Sequence, residues 1–237
     1  MTRPALKPRY RLVFGLSADP VHAGHIEMVA RSADRLIERD YDLAEVLLVP
    51  VYRRNPVGAR KGRLPETYLH RYEMCRLAAQ EVAARLRRDS VKVLVSSIEA
   101  ELVRDNDRPN YTAETLTALR DGSPPDAGLI FLISSELVSG PDPQFGRWYR
   151  PDEILALATL AICPRPGYTP NDGFLQSLVA RGADVIVLSG ISPPDLSATE
   201  LRAKLRAGVS PLALVDQGLL IPSIAGYLVA HDLYGGS

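Results

Sequence analysis

The chain has 237 residues with 28 basic and 28 acidic side chains, a formal net charge of zero that excludes the global positive field by which nucleic acid or anionic membrane is gathered. Its two cysteines, Cys75 and Cys163, are far apart and outside any CxxC pair, which excludes a disulfide framework and a cysteine-rich metal site. No stretch reaches the roughly 18 apolar residues of a membrane span, and "MTRPALKPRYRL" lacks the apolar run and cleavage site of a secretory signal, so a cytoplasmic protein without membrane partners is expected.

The first element is the apolar run "YRLVFG" (10–15), read as a buried strand. After "LSADPVHAGH" (16–25) a helical face appears, because Ile26, Val29, Ala30, Ala33, Leu36 and Ile37 recur at 3.6-residue spacing. A second strand, "EVLLVPV" (45–51), runs into a loop rich in arginine, glycine and proline (52–66) that could close over phosphates. Tyr68, Tyr72, Cys75, Leu77, Ala78 and Val82 share a face of the next helix, with looser periodicity. Further strands follow at "VKVLVSS" (91–97), "GLIFLI" (128–133), "LAIC" (160–163) and "DVIVLS" (184–189). The loop "SGPDPQFGRWYRPDE" (139–153), after the fourth strand, carries the sole tryptophan, Trp148.

Strand and helix alternation of this kind predicts an α/β fold with a doubly wound, Rossmann-like, mostly parallel sheet and helices on both faces, since parallel neighbours need crossovers that cover the sheet. A single domain over 1–237 is expected. Ligands of such sheets bind beyond the carboxyl ends of the strands, where the strand order reverses. Function should therefore collect in the loops leaving the strands.

In the first of these loops three features coincide. A helix N-terminus offers free backbone N–H groups and about half a positive charge. Gly24 removes a side chain there, so that an anion can approach the backbone. His22 and His25 stand three residues apart, near enough to donate to one phosphate group. Zinc would need a third ligand, and His70 and His231 lie far off in sequence without ligand spacing. A plain helix start, with Asp19 as cap and Pro20 in the first turn, fits the same letters.

A second helix start, "LSATELRAKLRAG" (196–208), opens on Ser197, with Glu200 placed for a capping box. Capping leaves Thr199 and Arg202 over, and a hydroxyl with a guanidinium at a helix N-terminus makes another anion site. Two such sites in one domain point to a polyphosphate substrate.

The segments "GLSADPVHAGH" (15–25) and "LSATELR" (196–202) resemble the two signatures of the HxGH nucleotidyltransferases. With "PNYTAETLTALR", "RWYRPDEIL", "CPRPGY" and "VAHDLYG" in the same order, nearly the whole chain is similar to bacterial nicotinate-nucleotide adenylyltransferases. The resemblance implies transfer of the adenylyl group of ATP to a small phosphorylated acceptor, nicotinate mononucleotide, with Mg2+ as cofactor. It implies catalytic roles for His22, His25 and Arg202, and nucleotide binding by Gly15, Ser17, Gly24, Ser134, Glu136, Ser197 and Thr199. On the acceptor side it implies Arg60, Lys61, Tyr111, Thr112 and Trp148, the last by stacking on the nicotinate ring; core packing is the alternative for Trp148, solvated loop charge for Arg60 and Lys61, and helix capping for Tyr111 and Thr112. The ISSTxxR-like segment and C-terminal helices are placed at 190–237. A homo-oligomer is compatible with these features.

Departures from the family pattern cluster where base and acceptor should lie. GGTF becomes Gly15, Leu16, Ser17 and Ala18, the PPHK-like segment becomes "NPVGARK", and GxD becomes Ser134, Ser135 and Glu136. Two alternatives to nicotinate mononucleotide adenylyl transfer therefore stand: nucleotidyl transfer with another acceptor or nucleoside triphosphate, and a nucleotide-binding module without turnover.

Overall fold

The computed structural model describes residues 8–53, 66–103 and 108–235. Within them six strands, β1 (Arg9–Leu16), β2 (Asp42–Pro50), β3 (Lys92–Val95), β4 (Gly128–Ser134), β5 (Thr159–Cys163) and β6 (Val185–Val187), form one sheet in the order β3-β2-β1-β4-β5-β6. Every neighbouring pair is parallel. The order runs outward from β1 in one direction and from β4 in the other, so the expected reversal falls between those two central strands. Each predicted strand is present, most of them trimmed or extended by a residue or two.

Strand β4 shows why the central strands read as unbroken apolar runs. Ile130 and Leu132 pack into the layer with α1 (Ala23–Glu38), α2 (Tyr68–Leu86), α7 (Ala198–Arg206), α8 (Pro211–Asp216) and α9 (Pro222–Ala230), whereas Leu129, Phe131 and Ile133 pack into the opposite layer with α4 (Thr112–Asp121), α5 (Pro151–Leu157) and α6 (Asp172–Ala180). Successive side chains point to opposite faces, and both faces are covered. A short α3 (Ile98–Val103), not foreseen in the sequence, follows β3.

Helix α1 buries Ile26, Val29, Ala30, Ala33 and Leu36, as the spacing predicts. It stops where Asp40 turns into the left-handed region (φ 64) and Tyr41 N–H returns to the Leu36 carbonyl at 3.1 Å. On α2 the buried face is shifted from the expected one. Arg71, Met74, Cys75, Ala78, Ala79, Val82 and Leu86 are inside, and Tyr68, Tyr72 and Leu77 are only half-buried. A charged residue, Arg71, opens that face in the first turn, which periodicity of apolar residues cannot show. Among the described residues no helix is long and apolar enough to cross a membrane.

Because β4 is covered on both sides, Ile130→Asn and Phe131→Asn should each lower stability by about 3 kcal/mol or more, through lost packing and a buried amide. Leu94→Asn, on the edge strand β3 where Leu94 is 43% exposed, should stay within about 0.5 kcal/mol of the parent chain. Urea midpoints of the three variants check this directly; tolerance at either β4 position would contradict the two-layer core.

Candidate active site

Strands β1 and β4 pair from Tyr10 with Gly128 as far as Val13 with Phe131, and the pairing stops before their ends at Leu16 and Ser134. A cleft of about 300 Å³ opens there, lined by the ends of both strands and by the segments that lead into α1 and α7. Gly15 lies on its floor, and a Cβ placed on it would meet nothing within 4 Å. Ser17, Gly24, His22, His25, Ser134, Glu136, Trp148, Ser197 and Arg202 all line this one cleft.

Helix α1 enters through His22, which takes the N-cap position that the sequence suggested for Asp19. The backbone N–H of His22 donates to Nδ1 of His25 at 3.3 Å. With Nδ1 accepting, Nε2–H is the donor the His25 ring keeps for a ligand. The two imidazoles stack at 3.6 Å between centroids with 22° between planes; His22 is buried and His25 half-buried. A Cβ on Gly24 would stand 3.1 Å from the His22 ring and 3.3 Å from the carbonyl oxygen of Pro194, so both groups share the space that the glycine leaves. Thus the glycine also lets the lead-in of α7 pass against the start of α1.

Helix α7 is capped by Ser197, whose Oγ accepts from Thr199 N–H at 3.2 Å. The expected box with Glu200 is replaced by this shorter Ser197 turn, and Glu200 is exposed. One turn on, Arg202 reaches back across the cleft. It donates through Nη1 to the carbonyl oxygen of Asp19, stands 3.6 Å from Asp19 Oδ2, and donates through Nη2 to Thr199 Oγ1 at 3.2 Å. Thr199 itself is exposed and serves the cleft through that arginine. Asp19 is only 1% exposed, and its Oδ1 accepts from the Tyr234 hydroxyl at 2.6 Å.

On the other side Trp148 half-covers the fully buried Phe145, with centroids 5.3 Å apart, and approaches Phe131 at 6.2 Å. Its ring is thus both packed at one edge and part of the cleft wall. Glu136 is paired with Arg165 (Nη1 to Oε2, 2.5 Å), which also binds Asp195 Oδ1 at 3.1 Å and so links the exit of β4 to the approach to α7. Tyr111 and Thr112 stand at the start of α4, outside the cleft lining; Tyr111 is the N-cap, and its ring lies 4.3 Å from that of Tyr149. Arg60 and Lys61 lie outside the described residues.

Residues 13–204 match the family model described as cytidylyltransferase-like. The chain belongs to that family. A probable nicotinate-nucleotide adenylyltransferase of Aeromonas hydrophila subsp. hydrophila is 32% identical over 97% of this chain and 98% of its own, and one of Sodalis glossinidius is 31% identical over 93% and 95%. Among solved structures, Plasmodium falciparum nicotinic acid mononucleotide adenylyltransferase complexed with NaAD shares the fold, with a TM-score of 0.67 at 16% identity, over 95% of this chain and 97% of that one. The protein is thus a nucleotidyltransferase of the adenylyltransferase-like kind, and the motif resemblance noted in the sequence holds along nearly its whole length.

Two residues that carry this nucleotidyltransferase site, Arg71 and Glu99, gave no motif signal, and a third, Ala18, stood out only as a departure from GGTF. Arg71, 2% exposed, donates to the carbonyls of Ser17 (3.0 Å), Val51 (2.5 Å), Tyr52 (3.4 Å) and Glu66 (3.3 Å), tying the exits of β1 and β2 together. Ala18, next to Ser17, is left-handed (φ 54), and Arg71 and Arg202 hold the carbonyls on either side of it. Glu99 is buried behind this turn and accepts from Tyr52 N–H at 2.9 Å and the Thr115 hydroxyl at 3.3 Å. An isolated buried acid or arginine amid apolar neighbours could have been flagged only by the mismatch with its helix face.

Burial pushes the Glu99 carboxyl up to about 7 from 4.5, against the opposing pull of Tyr52 N–H, the Thr115 hydroxyl and Arg71. With the folded value raised, the contribution to stability is fully present below pH 4.5 and is lost as pH rises through about 7. Glu99→Gln removes the titrating group and should flatten the fall of stability with pH across that window, the difference from the parent chain amounting to about 3 kcal/mol. Parallel Tm profiles for the two proteins would rule out a titrating Glu99.

Proposed function

We propose that the protein transfers the adenylyl group of ATP to nicotinate mononucleotide, giving nicotinate adenine dinucleotide and pyrophosphate, in the cytoplasm. The observation that carries this reading is that the N-termini of α1 and α7, with His22, His25, Ser197 and Arg202, face one cleft at the reversal of strand order. The names of the relatives supply the acceptor.

A phosphate oxygen of the acceptor attacks the α-phosphorus; a new P–O bond forms as the bond from the α-phosphorus to the α,β-bridging oxygen breaks, and the electron pair leaves on pyrophosphate. Such a displacement needs in-line positioning and charge stabilisation rather than a protein nucleophile. Both cysteines are buried and hold their protons, Cys163 being pushed up to about 11 by burial, so neither thiol supplies a nucleophile. His25 Nε2–H, the first-turn N–H groups of Gly24 and Ala198 at the cleft and the Arg202 guanidinium meet the charge that develops on the leaving group. His22 keeps the His25 ring in register by stacking. Gly15, Ser17 and Gly24 let the nucleotide approach the backbone, Ser134 and Glu136 with its partner Arg165 flank the sugar, and Thr199 orients Arg202. Trp148 offers its cleft face to the acceptor ring, Tyr111 and Thr112 at the start of α4 serve the same acceptor, and a stacked ring contributes about 0.5–1.5 kcal/mol beyond burial.

Magnesium fits this site as a passenger of the nucleotide. Among the described residues no three His, Cys, Asp or Glu side chains are grouped to hold a metal; Glu136 is paired with Arg165, and Asp19 accepts from Tyr234 through Oδ1 while its buried Oδ2 has only the ion-pair contact with Arg202 at 3.6 Å and no hydrogen bond. Mg2+ held on phosphate oxygens with its own waters would supply further neutralisation of the triphosphate.

Pyrophosphate release tests the reading, with ATP and CTP each paired with nicotinate mononucleotide, nicotinamide mononucleotide and phosphopantetheine. Release should be fastest with ATP and nicotinate mononucleotide; preference for another pair would reassign the substrates, and nucleotide binding without release under every pair would make the protein a sensor. His25→Ala should lower kcat by about 10² to 10³ with an unchanged circular dichroism spectrum. Trp148→Ala should raise KM for the acceptor well above any change in KM for ATP, whereas a change in Tm alone would leave Trp148 a core residue.

A further inference from the structure

Among the described residues, Arg202 is the one strong cation that α7 contributes to the cleft, and its side chain is only 12% exposed. A long side chain so placed needs fixed partners to present its donors in one direction. Beyond Thr199 on its own helix, those partners are two atoms of a single residue: the main-chain carbonyl oxygen of Asp19 and, 3.6 Å away, Asp19 Oδ2. The carboxylate is in turn anchored through Oδ1 by the Tyr234 hydroxyl at 2.6 Å, from a residue 215 positions away at the end of the described chain.

Nothing in general stability requires this chain of contacts. A buried ion pair is on average no more stabilising than apolar packing of the same volume, and Tyr234 already sits in an apolar layer, 6% exposed, where Phe would pack equally well. Burial, with the neighbouring Asp19 charge, pushes the Tyr234 hydroxyl well above its ordinary value, so it remains a donor throughout the working pH range. Tyr234 is itself held in the left-handed region (φ 63), a conformation disfavoured for a bulky side chain.

We propose that Asp19 and Tyr234 are positioning residues for Arg202, the hydroxyl fixing the carboxylate and the carboxylate fixing the guanidinium against the triphosphate. The inference rests on the phosphate-binding reading of the cleft. It makes the C-terminal segment part of the catalytic apparatus, although it touches no substrate.

Tyr234→Phe keeps the ring and removes only the donor, and it is tested alone and in the Arg202→Ala background. Two readouts are taken: kcat for pyrophosphate release, and the affinity of a non-hydrolysable ATP analogue by titration calorimetry. Tyr234→Phe should lower kcat about tenfold with KM for the acceptor unchanged, and weaken the analogue severalfold. In the Arg202→Ala background it should change neither quantity, because the group it positions is gone. A variant with lowered Tm but kcat and affinity within twofold of the parent chain would overturn the proposal, as would effects that add fully to those of Arg202→Ala. Should the parent chain bind the analogue but release no pyrophosphate, the transfer reading fails, and the calorimetric cycle alone still decides the role of Tyr234.

Discussion

The first backbone N–H groups of a helix have no partner within the helix, and in this protein the starts of α1 and α7 both line one cleft, with Ala23 N–H taken by the Leu219 carbonyl and Thr199 N–H by Ser197 Oγ, so that Gly24 and Ala198 stand at the cleft. Everything around the cleft serves to bring the two ends together. The reversal of strand order between β1 and β4 opens the space, and Gly24 allows the Pro194 carbonyl to lie against the first turn of α1. Imidazole and guanidinium side chains then extend the row of backbone donors into one continuous surface for an anion.

Such a surface gathers donors and positive charge at one place and needs acceptors to hold them. The compensation lies beneath it. Arg71 is met by four main-chain carbonyls from segments that leave β1 and β2 or lead into α2, and Arg202 by a carbonyl and carboxylate of Asp19. The two guanidiniums grip the carbonyls that flank Ala18, whose left-handed backbone is disfavoured for a residue with a Cβ. Strain in the turn is thus offset by charge-assisted hydrogen bonds, and the turn in its place holds the arginine that faces the cleft.

Much of this was legible in the sequence. The six apolar runs located the strands because both faces of each central strand are buried, and the HxGH and ISSTxxR-like segments located both helix starts because anion-binding termini demand small, hydroxyl and cationic residues at fixed spacing. What escaped was the layer behind the first contact. Arg71 and Glu99 are polar residues on inward faces, Tyr234 lies 215 positions from its partner, and their roles depend on contacts that only folding creates. Asp19 read as a helix cap and stands instead three residues before the true cap, His22, turned inward toward Tyr234 and Arg202. Trp148 packs one edge on Phe145 while its ring lines the cleft.

The convergence of two helix ends on one triphosphate is tested most directly by a crystal structure of the protein with a non-hydrolysable ATP analogue. Phosphate oxygens should lie within hydrogen-bond distance of His25 Nε2 on one side and of the first N–H groups of α7 and Arg202 on the other. A triphosphate bound to only one of these ends, or outside the cleft between β1 and β4, would contradict the arrangement from which the proposed chemistry is drawn.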